Sequence, residues 1–178
     1  FTGSRAQRNR PEASVTVSLE ESFGGTEVTA SLTVSGHKHR YRVKIPPGVD
    51  NGSVVRISPK NQTDILINVT VSSHPRFTRK GDDLYVEADI PFEDAILGGE
   101  TKIQTLDGRQ ILVRIPAQSQ NGQHIRLRGQ GMPNLKFPTS KGDLFVKVHP
   151  SLPKETSNEE KKLLRKLKGL RVEKNSGP

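Results

Sequence analysis

The chain has 178 residues, 31% hydrophobic and 4% aromatic, with no Trp, no Cys and a formal net charge of +9. The absence of cysteine excludes disulfides, thiolate metal sites and cysteine nucleophiles, and no apolar run is long enough to span a membrane. The charge points to anionic partners such as nucleic acid, acidic lipid or an acidic peptide. However, Arg5, Arg8, Arg10, Lys161, Lys162, Arg165, Lys166 and Lys168 put much of it in the termini, where such runs are usually solvated.

No signal peptide is visible at Phe1, and residues 1–12 read as a flexible linker without periodicity. Ser14–Leu19 alternates as a strand, with Val15, Val17 and Leu19 on one face. Glu20–Phe23 suits one helical turn, ended by Gly24 and Gly25. Thr26–Val34 places Val28, Ala30, Leu32 and Val34 on one face and pairs with His39–Ile45 through the turn Ser35-Gly36-His37-Lys38. Pro46-Pro47-Gly48 stops that ribbon, Asn51-Gly52 turns the chain, and Ser53–Ile57 and Asp64–Val71 complete a first unit.

His74–Gly81 reads as a polar link. Strands then follow at Asp83–Ile90, Glu100–Thr105, Gln110–Ile115, Gln123–Arg128 and Asp143–Val148, with a short turn at Glu93–Leu97 and a long loop at Gly129–Gly142. Ser157 and Glu160 form a capping box for the one long helix expected, whose stripe is Leu163, Leu164, Leu167 and Leu170.

Much of this occurs twice. Ile115-Pro116, Asn121-Gly122 and Ile125-Arg126-Leu127 repeat Ile45-Pro46, Asn51-Gly52 and Val55-Arg56-Ile57 at a constant offset of 70. Phe92–Gly99 echoes Leu19–Gly25, and Asp143–Val148 echoes Asp64–Val69, in the same order. A duplication at this spacing predicts two small units, each with a thin core of Val, Ile and Leu. The expected fold is mainly β: two tandem, related β-sandwich-like domains at 13–80 and 81–151, each with a short helix. A C-terminal helix and tail follow at 152–178.

No catalytic constellation stands out. His37, His39, His74, His124 and His149 lack metal-ligand spacing and read as exposed turn residues, and no carboxylate pair is singled out. Gly129-Gln130-Gly131 precedes Met132-Pro133 and a loop, so it is no phosphate cradle. The expectation is no enzyme, no metal and no cofactor. Binding is the natural destination.

The segments LEESFGG, KIPPGVDNGSVVRI, HPRFTRKGDDLYVE, EDAILGGE, TLDGRQILVRIP, RLRGQGMP and KGDLFVKV, in this order, resemble the C-terminal substrate-binding region of J-domain (DnaJ or Hsp40) co-chaperones. The resemblance covers about residues 13–170. It implies a cytoplasmic co-chaperone region that holds unfolded polypeptide for delivery to an Hsp70, with an acidic Hsp70 C-terminal tail as a further partner. It also implies a homodimer formed through the C-terminal helix, here Leu163, Leu164 and Leu167. His74-Pro75 is followed by Arg76, so the His-Pro-Asp motif of a J domain is absent, and no cysteine is present for a zinc module. The resemblance is therefore to a class B or curved-DNA-binding type, and non-specific or curved-DNA binding is the alternative function. The family's peptide groove, carried over by position, falls on Ala13, Val15, Val28, Ala30, Leu32 and Phe77.

Overall fold

A computed structural model of the chain describes residues 12–34, 37–59 and 64–175. The expected lead-in, the turn residues Ser35 and Gly36, and most of the loop after Ser58 lie outside them.

The first unit begins with β1 (Glu12–Val17), which starts earlier than alternation suggested and stops before Ser18. The reason is a capping box. Ser18 Oγ accepts from Glu21 N at 3.1 Å and Glu21 Oε2 accepts from Ser18 N at 2.8 Å, which draws Leu19 out of the strand and into α1 (Leu19–Gly24). β2 (Thr26–Val34) and β3 (His37–Ile45) form an antiparallel ribbon. β4 (Val54–Ile57) and β5 (Ile65–Val71) follow. β5 lies between β1, to which it is parallel, and β4, to which it is antiparallel. Ribbon and sheet enclose Val17, Val43, Ile45, Val49, Ile65, Ile67 and Val69, all essentially buried.

The second unit repeats the plan. Its elements are β7 (Asp83–Pro91), α2 (Phe92–Leu97), β8 (Gly99–Gln104), β9 (Gln110–Ile115), β10 (His124–Leu127) and β11 (Leu144–Ser151). β7 runs parallel to β11, β10 antiparallel to it, and β8 with β9 forms the second ribbon. The duplication in sequence is thus a duplication in topology, and the architecture is mainly β with two related layered units.

One strand has no counterpart among the described residues. β6 (Phe77–Lys80) lies inside the segment that reads as a polar link, and it pairs with β7 at the edge of the second sheet. Its alternation is disguised. Phe77 points into the second core, whereas Arg79, the other inward residue, sends its guanidinium to the carbonyls of Val49 (2.5 Å), Gly48 (3.0 Å) and Gly81 (2.8 Å). The side chain of Arg79 is only 9% exposed, so this cation is a bracket between the units.

The long loop before β11 is equally tied down. Met132 is fully buried, its N–H donates to Asp82 O at 2.7 Å, and Asn134 Nδ2 donates to Asp82 Oδ2 at 2.6 Å. At the loop's root Asp143 accepts from Gly129 N (2.8 Å) and Arg126 Nε (2.6 Å). The Gly129 amide first, and Arg126 next, hold the Asp143 carboxyl below its ordinary range. A carboxylate depressed in the folded state adds stability that is complete above the unfolded range and is lost as pH falls through the folded value. Wild-type melting should therefore fall on acidification more steeply than that of Asp143→Asn, as read by thermal melts across the acid range. Parallel curves would remove Asp143 from the acid response.

The final element is α3 (Asn158–Asn175). Its start is the expected box: Glu160 Oε2 accepts from Ser157 N at 2.6 Å, and Ser157 Oγ accepts from Glu160 N at 3.2 Å. Among the described residues, no helix is long and apolar enough to cross a membrane.

Candidate functional site

Alternation along β2 puts Val28, Ala30 and Leu32 on one face, opposite Val43, Tyr41 and His39 of β3. Period two along β1 likewise turns Ala13, Val15 and Val17 toward the same cluster. Val15 is 9%, Ala30 3% and Leu32 6% exposed, while Ala13 and Val28 are partly buried at the cluster's margin. Five of the six groove positions read from the sequence therefore come together where β1 lies against β2.

The sixth does not join them. Phe77, 4% exposed, packs in the second core with Leu84, Val86 and Ile90. Its position is set by His74, whose Nδ1 accepts from both Arg76 N and Phe77 N at 3.0 Å. With that nitrogen accepting, Nε2 carries the hydrogen and faces Glu20 Oε1 of α1 at 3.1 Å. His74 is thus a tie between the link and the first unit rather than an exposed turn residue. Glu20 is held below the usual carboxylate range by hydrogen bonding to its own backbone amide first, and by Ser18 and His74 after it.

The site has free backbone as well as apolar side chains. Among the described residues β1 pairs only with β5, and β2 only with β3, so each presents one open edge beside the apolar cluster. An extended peptide can hydrogen-bond to such an edge while alternate side chains reach the cluster. Tyr41, half-buried against the same core across from Ala30, belongs to this neighbourhood too. The signal for it was the alternation of His39, Tyr41, Val43 and Ile45.

No group of three or more ligating side chains gathers among the described residues. Five surface cations are paired: Arg42 with Glu27, Arg56 with Asp64, Arg109 with Asp107, Arg126 with Asp143 and Lys147 with Glu87.

The family described as DnaJ C terminal domain matches residues 11–153. The chain belongs to that family. It is 40% identical over 142 residues to a Chaperone protein DnaJ of Thermosipho africanus, covering 75% of this chain and 37% of that protein. It is 42% identical over 125 residues to Chaperone protein DnaJ 2 of Aquifex aeolicus, covering 66% and 33%. With Chaperone protein DnaJ 2 of Thermus thermophilus the identity is 36% over 171 residues, covering 93% of this chain and 58% of that one. The chain thus spans between a third and three fifths of the length of these relatives, all of them chaperones by name. In this member of the family, two β layers are duplicated, and among the described residues an apolar margin lies beside the open edges of β1 and β2.

Proposed function

We propose that the chain is the polypeptide-holding part of a DnaJ co-chaperone, capturing extended apolar client segments between β1 and β2 and passing them to an Hsp70. The observation that carries this reading is the coincidence of two open strand edges with the cluster of Ala13, Val15, Val28, Ala30 and Leu32. Backbone pairing supplies sequence-independent affinity, and the apolar margin selects what a native protein would bury. The outward face of the ribbon, with Lys38, Arg40, Arg42 and Lys44 exposed, suits an acidic Hsp70 tail. Phe77 enters the proposal as the anchor of the link rather than a wall of the groove.

Val28 is the position to test, because it is partly exposed and its loss leaves the core filled. Full burial of an aliphatic side chain contributes about 1.5–3 kcal/mol, so a shallow contact is worth about 1 kcal/mol. Val28→Ser is expected to weaken an apolar client peptide by roughly fivefold with little change in melting. Unchanged affinity, together with unchanged suppression of client aggregation, would move the site elsewhere.

A homodimer through α3 is part of the same proposal. Leu164 and Leu167 line a hollow of about 390 Å³ with Phe92 and Ile96 of α2, yet remain 39% and 41% exposed, and Leu163 is 65% exposed. An apolar stripe left this open favours a second copy. Sedimentation of a Leu163→Glu, Leu167→Glu variant should show only monomer, and an unaltered dimer would exclude the helix.

A further inference from the structure

The outer face of the second sheet carries a feature that client binding at the first unit leaves unused. Tyr85 of β7 and Phe145 of β11 stand opposite each other and stack at 5.0 Å with planes 14° apart. His124 of β10 meets both rings edge-on. Lys80 Nζ lies over the Tyr85 ring, 4.9 Å from its centre. Tyr85, His124 and Lys80, with Arg76 and Lys147, border a cleft of about 460 Å³ beside β6, large enough for several side chains of a bound segment.

The fold does not require this arrangement. Through the shared register Tyr85, Phe145, Glu87, Lys147 and His124 correspond to Glu12, Leu66, Ser14, Asn68 and Val54 of the first unit. The sister sheet therefore forms with neither the aromatic stack nor the cations.

Charge decides the class of ligand. Among the described residues Glu87 is the one carboxylate bordering the cleft, and Lys147 Nζ already holds it at 2.7 Å. Arg76 and Lys80 have no carboxylate partner among the described residues; Arg76 donates to the neutral Gln104 amide oxygen at 3.1 Å. An incoming anion thus meets two unneutralised cations. A nucleic-acid base needs a free ring face, but Phe145 stacks on Tyr85 and the Lys80 ammonium lies over the same ring. The open edge of β6 offers instead the backbone partner that an extended peptide needs.

We propose that this cleft is a second docking site, separate from the client groove, for an acidic extended segment of a partner protein. The segment lies along β6, placing carboxylates on Arg76 and Lys80 and an apolar side chain against the edge of Tyr85 beside His124. Glu87 on Lys147 shows the contact within the protein itself, a carboxylate at hydrogen-bond distance from an ammonium on this face.

The test is fluorescence anisotropy on the whole chain with a short labelled peptide of alternating glutamate and valine. Binding should weaken about tenfold or more in Arg76→Glu, Lys80→Glu and fall with added salt, while an apolar client peptide binds that variant as it binds wild type. The titration is repeated in an Arg40→Glu, Arg42→Glu background, which removes the first ribbon's own attraction for acidic peptides, and the dependence on Arg76 and Lys80 should persist there. The proposal is overturned if the Arg76, Lys80 variant binds unchanged, if the ribbon variant alone abolishes binding instead, if a matching peptide with glutamine in place of each glutamate binds equally well, or if oligothymidine displaces the acidic probe more readily than unlabelled peptide. Both altered residues are exposed, so melting should match wild type; should the double variant fail to fold, Lys80→Gln is read in its place. Failure of the client groove would appear separately, in the Val28→Ser titration.

Discussion

Gly48→Ala is expected to cost about 1–3 kcal/mol more than Gly52→Ala, read by urea unfolding of both variants. The two glycines share a left-handed conformation, with φ of +88° and +83°, so each alanine carries a similar backbone penalty of about 1–2 kcal/mol. Their surroundings differ. At Gly52 an added Cβ meets nothing within 4 Å, whereas at Gly48 it falls 2.5 Å from Pro133 O and 2.8 Å from Leu135 N. Both obstacles are backbone atoms of the long loop in the second unit, so neither can swing aside as a side chain would. The extra cost must be met by moving that loop, which is bonded through Met132 and Asn134 to Asp82, or by moving the Gly48 turn, which the Arg79 guanidinium holds by two carbonyls. Weakening should therefore spread to both units. Equal losses for the two alanine variants would show that the units are not locked at this joint.

That joint marks the limit of what was legible in the sequence. Alternation in Thr26–Val34 and Gln110–Ile115 matched β2 and β9, because one face of each strand is buried and period two is then written in residue type. The repeat offset revealed the duplicated topology, and the Ser157 box located the start of α3. β6 escaped because it is four residues long and one of its inward positions is an arginine, satisfied by carbonyls from a turn 30 residues earlier. Met132 escaped for a related reason. A single apolar residue in a Gly and Pro loop has no period, and only the tertiary bonds of Asp82 show that it plugs the core. For the groove, β-strand patterning brought together the five positions on β1 and β2, which share alternation and a common core. It could not place Phe77, whose destination depends on which sheet the link joins.

Phe77→Ala separates those roles. Removing a phenyl ring that is 4% exposed among Leu84, Val86 and Ile90 leaves a cavity in the second core, and such truncations cost about 3–5 kcal/mol. The expected result is a large fall in melting temperature, with client peptide affinity unchanged when titrated well below the transition. Leu32→Ser should behave differently. Leu32 is 6% exposed and packs on the first core, so its loss also lowers stability, but it lies on the same face of β2 as Val28 and beside the open edge. Its affinity loss should be about tenfold and should persist under conditions where the protein is folded. Affinity and stability measured on the same two variants therefore divide the positions into groove and scaffold. A tenfold affinity loss in folded Phe77→Ala would return the ring to the groove wall, and would require β6 to shift toward β1 when a client binds.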